Sequence, residues 1–307
     1  MIQDTILFGD CRETLKEFDG KARMCVTSPP YYGLRDYGGE ENQIGQEQSP
    51  EEFIQNLVEV FSLVRDCLTD DGTLWVNIGD SYYNYRPGKG QSYPKQSVSK
   101  TKQDLPDKCN KRGNKLEGLK EKDLIGIPWM LAFALRADGW YLRQDIIWHK
   151  PNPMPESVRD RCTKSHEYIF LLSKNKKYYY DNEAIKEPAK DWGTRDRSKG
   201  KYHNAGTGLS PHTGLSKSYP TKNKRSVWRV TNKPYKGAHF AVYPPDLIEP
   251  CIKAGSKSGD IILDPFMGSG TTARVARSLN RDYVGCELHE EYRNLIEIPS
   301  LDGLIEK

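Results

Sequence analysis

The segment Thr27-Ser28-Pro29-Pro30-Tyr31-Tyr32 follows a short apolar stretch, Met24-Cys25-Val26, that reads as a buried strand. Proline lacks a backbone N–H and fixes φ. The Ser28 side chain and the Pro29 carbonyl are therefore acceptors with no neighbouring amide to compete for them. Tyr31 and Tyr32 add aromatic faces. Such a set suits one kind of chemistry. The lone pair of an exocyclic amine on a heterocycle is delocalised into the ring. Two acceptors, one for each amino hydrogen, favour a pyramidal nitrogen, free the lone pair and hold it in line with an electrophilic methyl group. An aromatic side chain beside them can stack on a base taken out of a helix. No covalent nucleophile or metal is required. Taken alone, the motif also reads as a rigid proline turn with surface tyrosines.

A second motif, Asp264-Pro265-Phe266-Met267-Gly268-Ser269-Gly270-Thr271-Thr272, lies between the apolar run Ile261-Ile262-Leu263 and a helical stretch. Glycines let backbone approach a ligand closely, and a helix N-terminus offers free N–H groups. No lysine follows the second glycine, so this is not a phosphate-cradling P-loop. The third glycine of the dinucleotide fingerprint is absent as well. A nucleoside-bearing ligand without a diphosphate is the better fit. Glu287 ends the next strand, where a carboxylate can accept from ribose hydroxyls.

Together these motifs resemble those of the S-adenosylmethionine-dependent DNA amino-methyltransferases of the permuted β class. Three further stretches carry the likeness: His239-Phe240-Ala241-Val242-Tyr243-Pro244, Trp148-His149-Lys150-Pro151-Asn152-Pro153 and Ser165-His166-Glu167-Tyr168. It covers nearly the whole chain outside two polar segments. The resemblance implies a catalytic turn of Ser28, Pro29, Pro30 and Tyr31. It implies an S-adenosylmethionine site of Phe240, Asp264, Pro265, Phe266, Gly268, Ser269, Gly270, Thr271, Thr272 and Glu287. It also implies a circularly permuted, mostly parallel, Rossmann-like class I methyltransferase sheet of α/β type. The strand ending at Glu287 is then followed in fold order by the one over 5–8, which places Asp10 beside the cofactor adenine.

The family reads its target between these same motifs. Lys224, Arg225, Trp228 and Arg229, which interleave basic and aromatic residues, are therefore expected at DNA, with Tyr32 and Arg35 after the turn. A serine before Pro-Pro-Tyr is the usual pattern of N4-cytosine members, though not exclusive to them. The expected reaction is methylation of cytosine N4 in a flipped base of double-stranded DNA. Adenine N6 is the alternative, and a catalytically inactive methyltransferase-like DNA-binding protein a further one. S-adenosylmethionine is the cofactor implied, with no metal. A homodimer and a cognate restriction endonuclease are both compatible with the resemblance, which decides neither.

The elements that must position these residues are legible from patterning. Ser49-Pro50-Glu51-Glu52 predicts a helix start, with a cap, a first-turn proline and acids at the positive end. Phe53, Leu57, Val60, Phe61, Val64 and Leu68 share one face of it. Asp70-Asp71-Gly72 is expected to end the helix before a strand over 73–78. Helices are predicted over 129–135, 245–253 and 271–279, and strands over 142–148, 168–172 and 283–286. Alternating strands and helices predict a mainly parallel sheet. The chain divides into a catalytic half (1–83 and 124–180), a basic insertion (84–123), a target-recognition region (181–235) and a cofactor half (236–307). Asp80 reads equally as a pocket or a capping residue, His166 as structural, Cys251 as a small buried residue and Tyr178-Tyr179-Tyr180 as partial core.

Charge fits a polyanion partner. The net +4 is unevenly spread. Residues 86–122 hold 11 Lys/Arg against 4 Asp/Glu, and residues 174–236 hold 16 against 5, so the remainder is acidic. Two basic segments on an acidic body point to nucleic acid. The seven cysteines include no CxxC pair, which disfavours zinc knuckles and disulfide frameworks. No run approaches the roughly 18–20 apolar residues of a membrane span, and the first residues lack a signal pattern. A cytoplasmic location, away from membranes, is expected.

Overall fold

The computed structural model describes residues 3–33, 42–83, 116, 118–189, 220–232 and 243–296. Its elements in chain order are β1 (Thr5–Phe8), α1 (Cys11–Glu17), β2 (Ala22–Thr27), α2 (Pro50–Cys67), β3 (Leu68–Ile78), α3 (Ile127–Ala137), β4 (Tyr141–His149) and β5 (His166–Ser173). These are followed by β6 (Glu187–Pro188), β7 (Thr221–Lys222), β8 (Val227–Arg229), α4 (Pro245–Gly255), β9 (Ile261–Asp264), α5 (Thr271–Ser278) and β10 (Asp282–Glu287).

Eight strands form one sheet in the order β1-β10-β9-β2-β3-β5-β4-β8, while β6 and β7 pair separately. From β1 to β3 every neighbouring pair is parallel. β5 lies antiparallel between β3 and β4, and β8 is parallel to β4. β1 pairs with β10 from Thr5↔Val284 to Phe8↔Glu287, so the first strand of the chain completes the half begun by the last. This is the permuted order implied by the sequence.

Both faces are covered, as a buried parallel sheet requires. Cys25, Leu74, Val76 and Leu263 pack toward the apolar faces of α1, α2 and α3. Their strand neighbours Met24, Val26, Trp75 and Ile262 pack toward α4 and α5. This is the period-2 alternation of extended chain. In α2, the Ser49 hydroxyl accepts from Glu52 N at 3.2 Å with Pro50 in the first turn, and Phe53, Leu57, Val60, Phe61 and Val64 are fully buried.

The expected turn at 70–72 needs correction. Leu68 is drawn into the core and already pairs with Ala22, so β3 begins there. The ladder resumes at Met24↔Thr73, leaving Asp70-Asp71-Gly72 as a bulge within the strand. A Cβ on Gly72 would lie 2.9 Å from both Leu68 Cβ and Thr69 O, so the bulge needs glycine. Four elements have no counterpart in the sequence reading. α1 has seven residues, β8 three and β6 and β7 two each, too short for either period to register.

Candidate active site

The parallel strands β1, β10, β9, β2 and β3 end on one edge of the sheet. His149, the last residue of β4, pairs with His166, the first of β5, on that same edge. The connection after β9 runs through α5 to β10 on one side, and that after β2 runs through α2 to β3 on the other. β9 and β2 are themselves neighbours. The glycine loop and the Ser-Pro-Pro-Tyr turn therefore leave adjacent strands at the point where the winding reverses, the place where open α/β sheets bind ligands.

Asp264 fastens the two motifs together. Its carboxylate is fully buried and accepts from Thr27 Oγ1 at 2.5 Å, Thr272 Oγ1 at 2.5 Å, Phe266 N at 3.0 Å and the Tyr243 hydroxyl at 3.1 Å. The Tyr243 and Thr272 hydroxyls also bond each other. Burial pushes the Asp264 carboxyl above its ordinary range, against the hydrogen bonds from Thr27, Thr272, Phe266 and Tyr243. Expected to bind a cofactor, Asp264 is enclosed by these donors. It ties the loop to the end of β2.

The cradle itself is built from backbone. Gly268 and Gly270 take φ of 53° and 77°, left-handed values that favour glycine. Met267 N donates to Cys286 O at 2.8 Å, and Gly268 N to Glu287 Oε2 at 2.8 Å. Met267 packs over Gly285, where a Cβ would stand 3.1 Å from both Met267 Cβ and Cγ and would displace the end of that side chain. Ser269, Thr271 and Thr272 are buried, and Thr271 opens α5, whose first N–H groups have no partner within the helix. Pro265 and Phe266 lead into this loop.

Glu287 also accepts from His289 N, through Oε1 at 3.1 Å. Burial pushes its carboxyl up despite these amides. Each oxygen keeps a further lone pair for a hydroxyl donor. A buried diol acceptor beside a glycine-cleared loop fits a ribose-bearing ligand. Asp10 follows the neighbouring strand, β1, whose Phe8 pairs with Glu287. It caps α1 by accepting from Arg12 N at 2.9 Å, and the Arg12 guanidinium donates to both its oxygens. Burial alone would raise this carboxyl, but Arg12 outweighs it and holds the group below the ordinary range.

On the catalytic side, Ser28 follows β2 directly, Pro29 is buried, and Ser28, Pro30 and Tyr31 are partly exposed. The Tyr31 hydroxyl donates to Glu167 Oε2 at 2.7 Å and to Asn77 Oδ1 at 3.4 Å. Its ring edge crosses Gly79, where a Cβ would come within 2.7 Å of Cε2. The other Glu167 oxygen pairs with Lys150, whose ammonium lies 4.2 Å from the Trp148 ring centre. Glu167 and Lys150 fall in stretches that the resemblance marked without a role. Asn77 and Gly79 carried no signal, because their importance comes from β3 lying beside β2.

Other expected residues are placed differently. The Tyr32 ring packs on Phe53 at 5.5 Å between centres, and burial with Glu47, Glu51 and Glu52 pushes its phenol up to about 12. It packs against α2 and stays partly exposed. Trp228 is corrected from its expected place at DNA. β8 turns it inward opposite Trp148, it is 5 % exposed, and its indole N–H donates to Arg225 O at 2.7 Å. Arg229 is exposed and pairs in register with His149, on the edge that carries the catalytic turn. Lys224 and Arg225 precede β8, at its opposite end. Arg225 is bound to Glu187 at 3.0 Å, and Lys224 lies 4.9 Å from the Trp228 ring centre.

Asp80 resolves to the capping reading, since it accepts from Gly126 N at 3.0 Å and Ile127 N at 3.1 Å and so caps α3 from a distance. His166 meets Tyr168 edge-on, Cys251 is fully buried and Tyr180 stacks on Trp75. Arg35, Phe240 and nearly all of the basic insertion lie outside the described residues. No helix among the described residues is long and apolar enough to cross a membrane.

An eight-stranded, doubly wound sheet with a glycine cradle and a Ser-Pro-Pro-Tyr turn at its switch point defines a class I amino-methyltransferase. The chain belongs to the DNA methylase family, which it matches over residues 22–297. It is 49% identical to the type II methyltransferase M.SmaI of Serratia marcescens, over 94% of this chain and 88% of that one. In fold it is similar to the cytosine-N4-specific PvuII DNA methyltransferase, with a TM-score of 0.61 at 16% identity, covering 100% of this chain and 91% of that one. It is also similar to a DNA modification methylase of Thermus thermophilus solved with S-adenosyl-L-methionine, with a TM-score of 0.57 at 22% identity, covering 94% and 89%.

Proposed function

We propose that this site-specific DNA methyltransferase modifies the exocyclic N4 of cytosine in duplex DNA, as the modification enzyme of a type II restriction-modification system. The observation that carries the reading is the Thr27–Asp264 hydrogen bond, which joins the catalytic turn to the glycine loop across 237 positions of sequence. Ser28 at the head of the turn supports cytosine N4, as does the likeness to a fold neighbour of that specificity.

S-adenosylmethionine supplies an electrophilic methyl group on a sulfonium. The cradle from Gly268 to Thr272 and the Glu287 carboxylate hold its nucleoside. The Ser28 hydroxyl and the Pro29 carbonyl accept the two amino hydrogens of the target base, so that the nitrogen lone pair turns toward the methyl group. Tyr31 stacks on the flipped base, whose extrusion costs a few kcal/mol. Residues 1–83 and 124–180 supply this catalytic half, 236–307 the cofactor half, and 181–235 the reading of sequence.

Methylated DNA digested to nucleosides and examined by mass spectrometry is expected to contain N4-methylcytosine. N6-methyladenine alone would overturn the choice of base. Pro29→Ala and Tyr31→Ala are expected to lower the rate of transfer on the order of 100-fold with cofactor affinity unchanged by calorimetry. A normal rate in Tyr31→Ala would remove the stacking role.

A further inference from the structure

Four side chains from four parts of the chain meet beside the catalytic turn. Tyr31 follows β2, Asn77 lies on β3, Glu167 on β5 and Lys150 just beyond β4. Glu167 is the hub. One of its oxygens accepts from the Tyr31 hydroxyl at 2.7 Å and from Asn77 Nδ2 at 3.4 Å, and the other pairs with Lys150. Asn77 Nδ2 also donates to Tyr168 O at 3.1 Å, which ties the group to the sheet. The Glu167 and Lys150 side chains are only 14% and 17% exposed.

An ion pair so far out of water is a poor source of stability, because desolvation offsets most of its attraction. What the arrangement does achieve is directional. A phenol donating to an ionised carboxylate makes a short, strong hydrogen bond, and a second hold on that carboxylate fixes where the bond points. Gly79 makes room for the ring, since a Cβ there would come within 2.7 Å of Cε2. The tyrosine of the turn is thus located at its hydroxyl.

We propose that Glu167, anchored by Lys150, is a positioning residue for methyl transfer: it holds Tyr31 at the angle at which the ring receives the target base. The proposal rests on the methyltransferase reading above. In that role Glu167 touches neither cofactor nor reacting nitrogen, and it acts through Tyr31. A base that enters the site meets a ring already oriented, so the ordering cost of one aromatic side chain is met before binding.

The test is a double-mutant cycle in the full-length enzyme, with Tyr31→Phe, Glu167→Gln, Glu167→Ala and the double variant Tyr31→Phe/Glu167→Ala. The readouts are single-turnover methyl transfer, cofactor affinity by calorimetry, and the fluorescence of 2-aminopurine placed at the target base. Glu167→Ala is expected to slow transfer by about tenfold or more, to leave cofactor affinity unchanged and to reduce the flipped-base signal. Tyr31→Phe is expected to slow it less. The double variant is expected to be no slower than Glu167→Ala, since without the carboxylate the hydroxyl has nothing to hold. Glu167→Gln, which keeps an acceptor for Tyr31, is expected to recover part of the rate.

Independent, multiplying effects of the two substitutions would overturn the proposal, as would a wild-type rate in Glu167→Ala. Should Glu167→Ala not fold, the cycle run with Glu167→Gln decides in the same way, with multiplying effects against the proposal. A wild-type enzyme that transfers no methyl to any DNA would instead remove the methyltransferase reading, an outcome separate from either.

Discussion

Glu287 holds the glycine loop by accepting from Gly268 N, and also accepts from His289 N, which leaves lone pairs on both of its oxygens. Burial raises its pKa above the ordinary 4.5. The folded apo-enzyme therefore takes up this proton more readily than the unfolded chain. The resulting stabilisation is fully present below pH 4.5 and is lost as pH rises through the folded value. Hydroxyl donors favour the ionised form, so cofactor binding draws the pKa back down and releases a proton within that window. Affinity for S-adenosylmethionine is thus expected to weaken as pH falls from neutral toward the ordinary carboxylate range, and Glu287→Gln to flatten the profile. Calorimetry across that range, in buffers of different ionisation enthalpy, checks both the trend and the proton release. At this scale the sequence was informative at Gly268 and Gly270, marked by identity and spacing alone and found with the left-handed φ that glycine favours. Trp228 was marked as a contact and is buried opposite Trp148, because burial depends on neighbours remote in sequence.

Asp80, just beyond β3, joins that strand to the start of α3. α3 opens at Gly126, which has no side chain to cap it. Asp80 supplies one from the end of β3, accepting from the N–H groups of Gly126 and Ile127, with Ser81 N as a third donor at 3.0 Å. Asp80→Ala is expected to destabilise the fold by about 1–2 kcal/mol, read as a lower urea midpoint at constant slope. Asp80→Asn is expected to lose less, since an amide oxygen still accepts. Helices and strands of ordinary length were legible from period and caps: α2 begins on its predicted cap, and β4, β5, β9 and β10 lie within a residue or two of the expected spans. The elements that escaped are those whose existence depends on a partner. β8 forms because Ile147 N reaches Ser226 O and Val230 N reaches His149 O, bonds between segments some 80 residues apart.

Across the molecule, the pairing of β8 with β4 sorts the basic residues by distance from the catalytic edge. Arg229 stands beside His149, whereas Lys224 and Arg225 lie at the other end of β8 and Arg225 is engaged by Glu187. Arg229→Ala is therefore expected to weaken binding of duplex DNA and to lower the slope of log affinity against log salt by about 0.9, the share of one phosphate contact. Arg225→Ala is expected to change that slope less. Equal effects would move the DNA path away from the sheet edge. The charge asymmetry was legible as two basic segments of sequence. Which cations face the site follows only from strand register, which composition does not encode.

The permuted strand order has a consequence for synthesis. β2 leaves the ribosome early, but its partner β9 follows 237 positions later by the reckoning of Thr27 and Asp264. At about 5–20 residues per second, the nascent protein spends roughly 10–50 s with one side of its central strand unpaired. For that interval the incomplete sheet offers an open edge to other chains, and β1, whose sheet neighbour is β10, has nowhere to dock. Translation intermediates stalled before Ile261 are expected to be cut readily at β2 by protease, and those stalled after β9 and β10 have emerged to resist. Until its last strands arrive, a nascent chain holds the catalytic turn but cannot methylate.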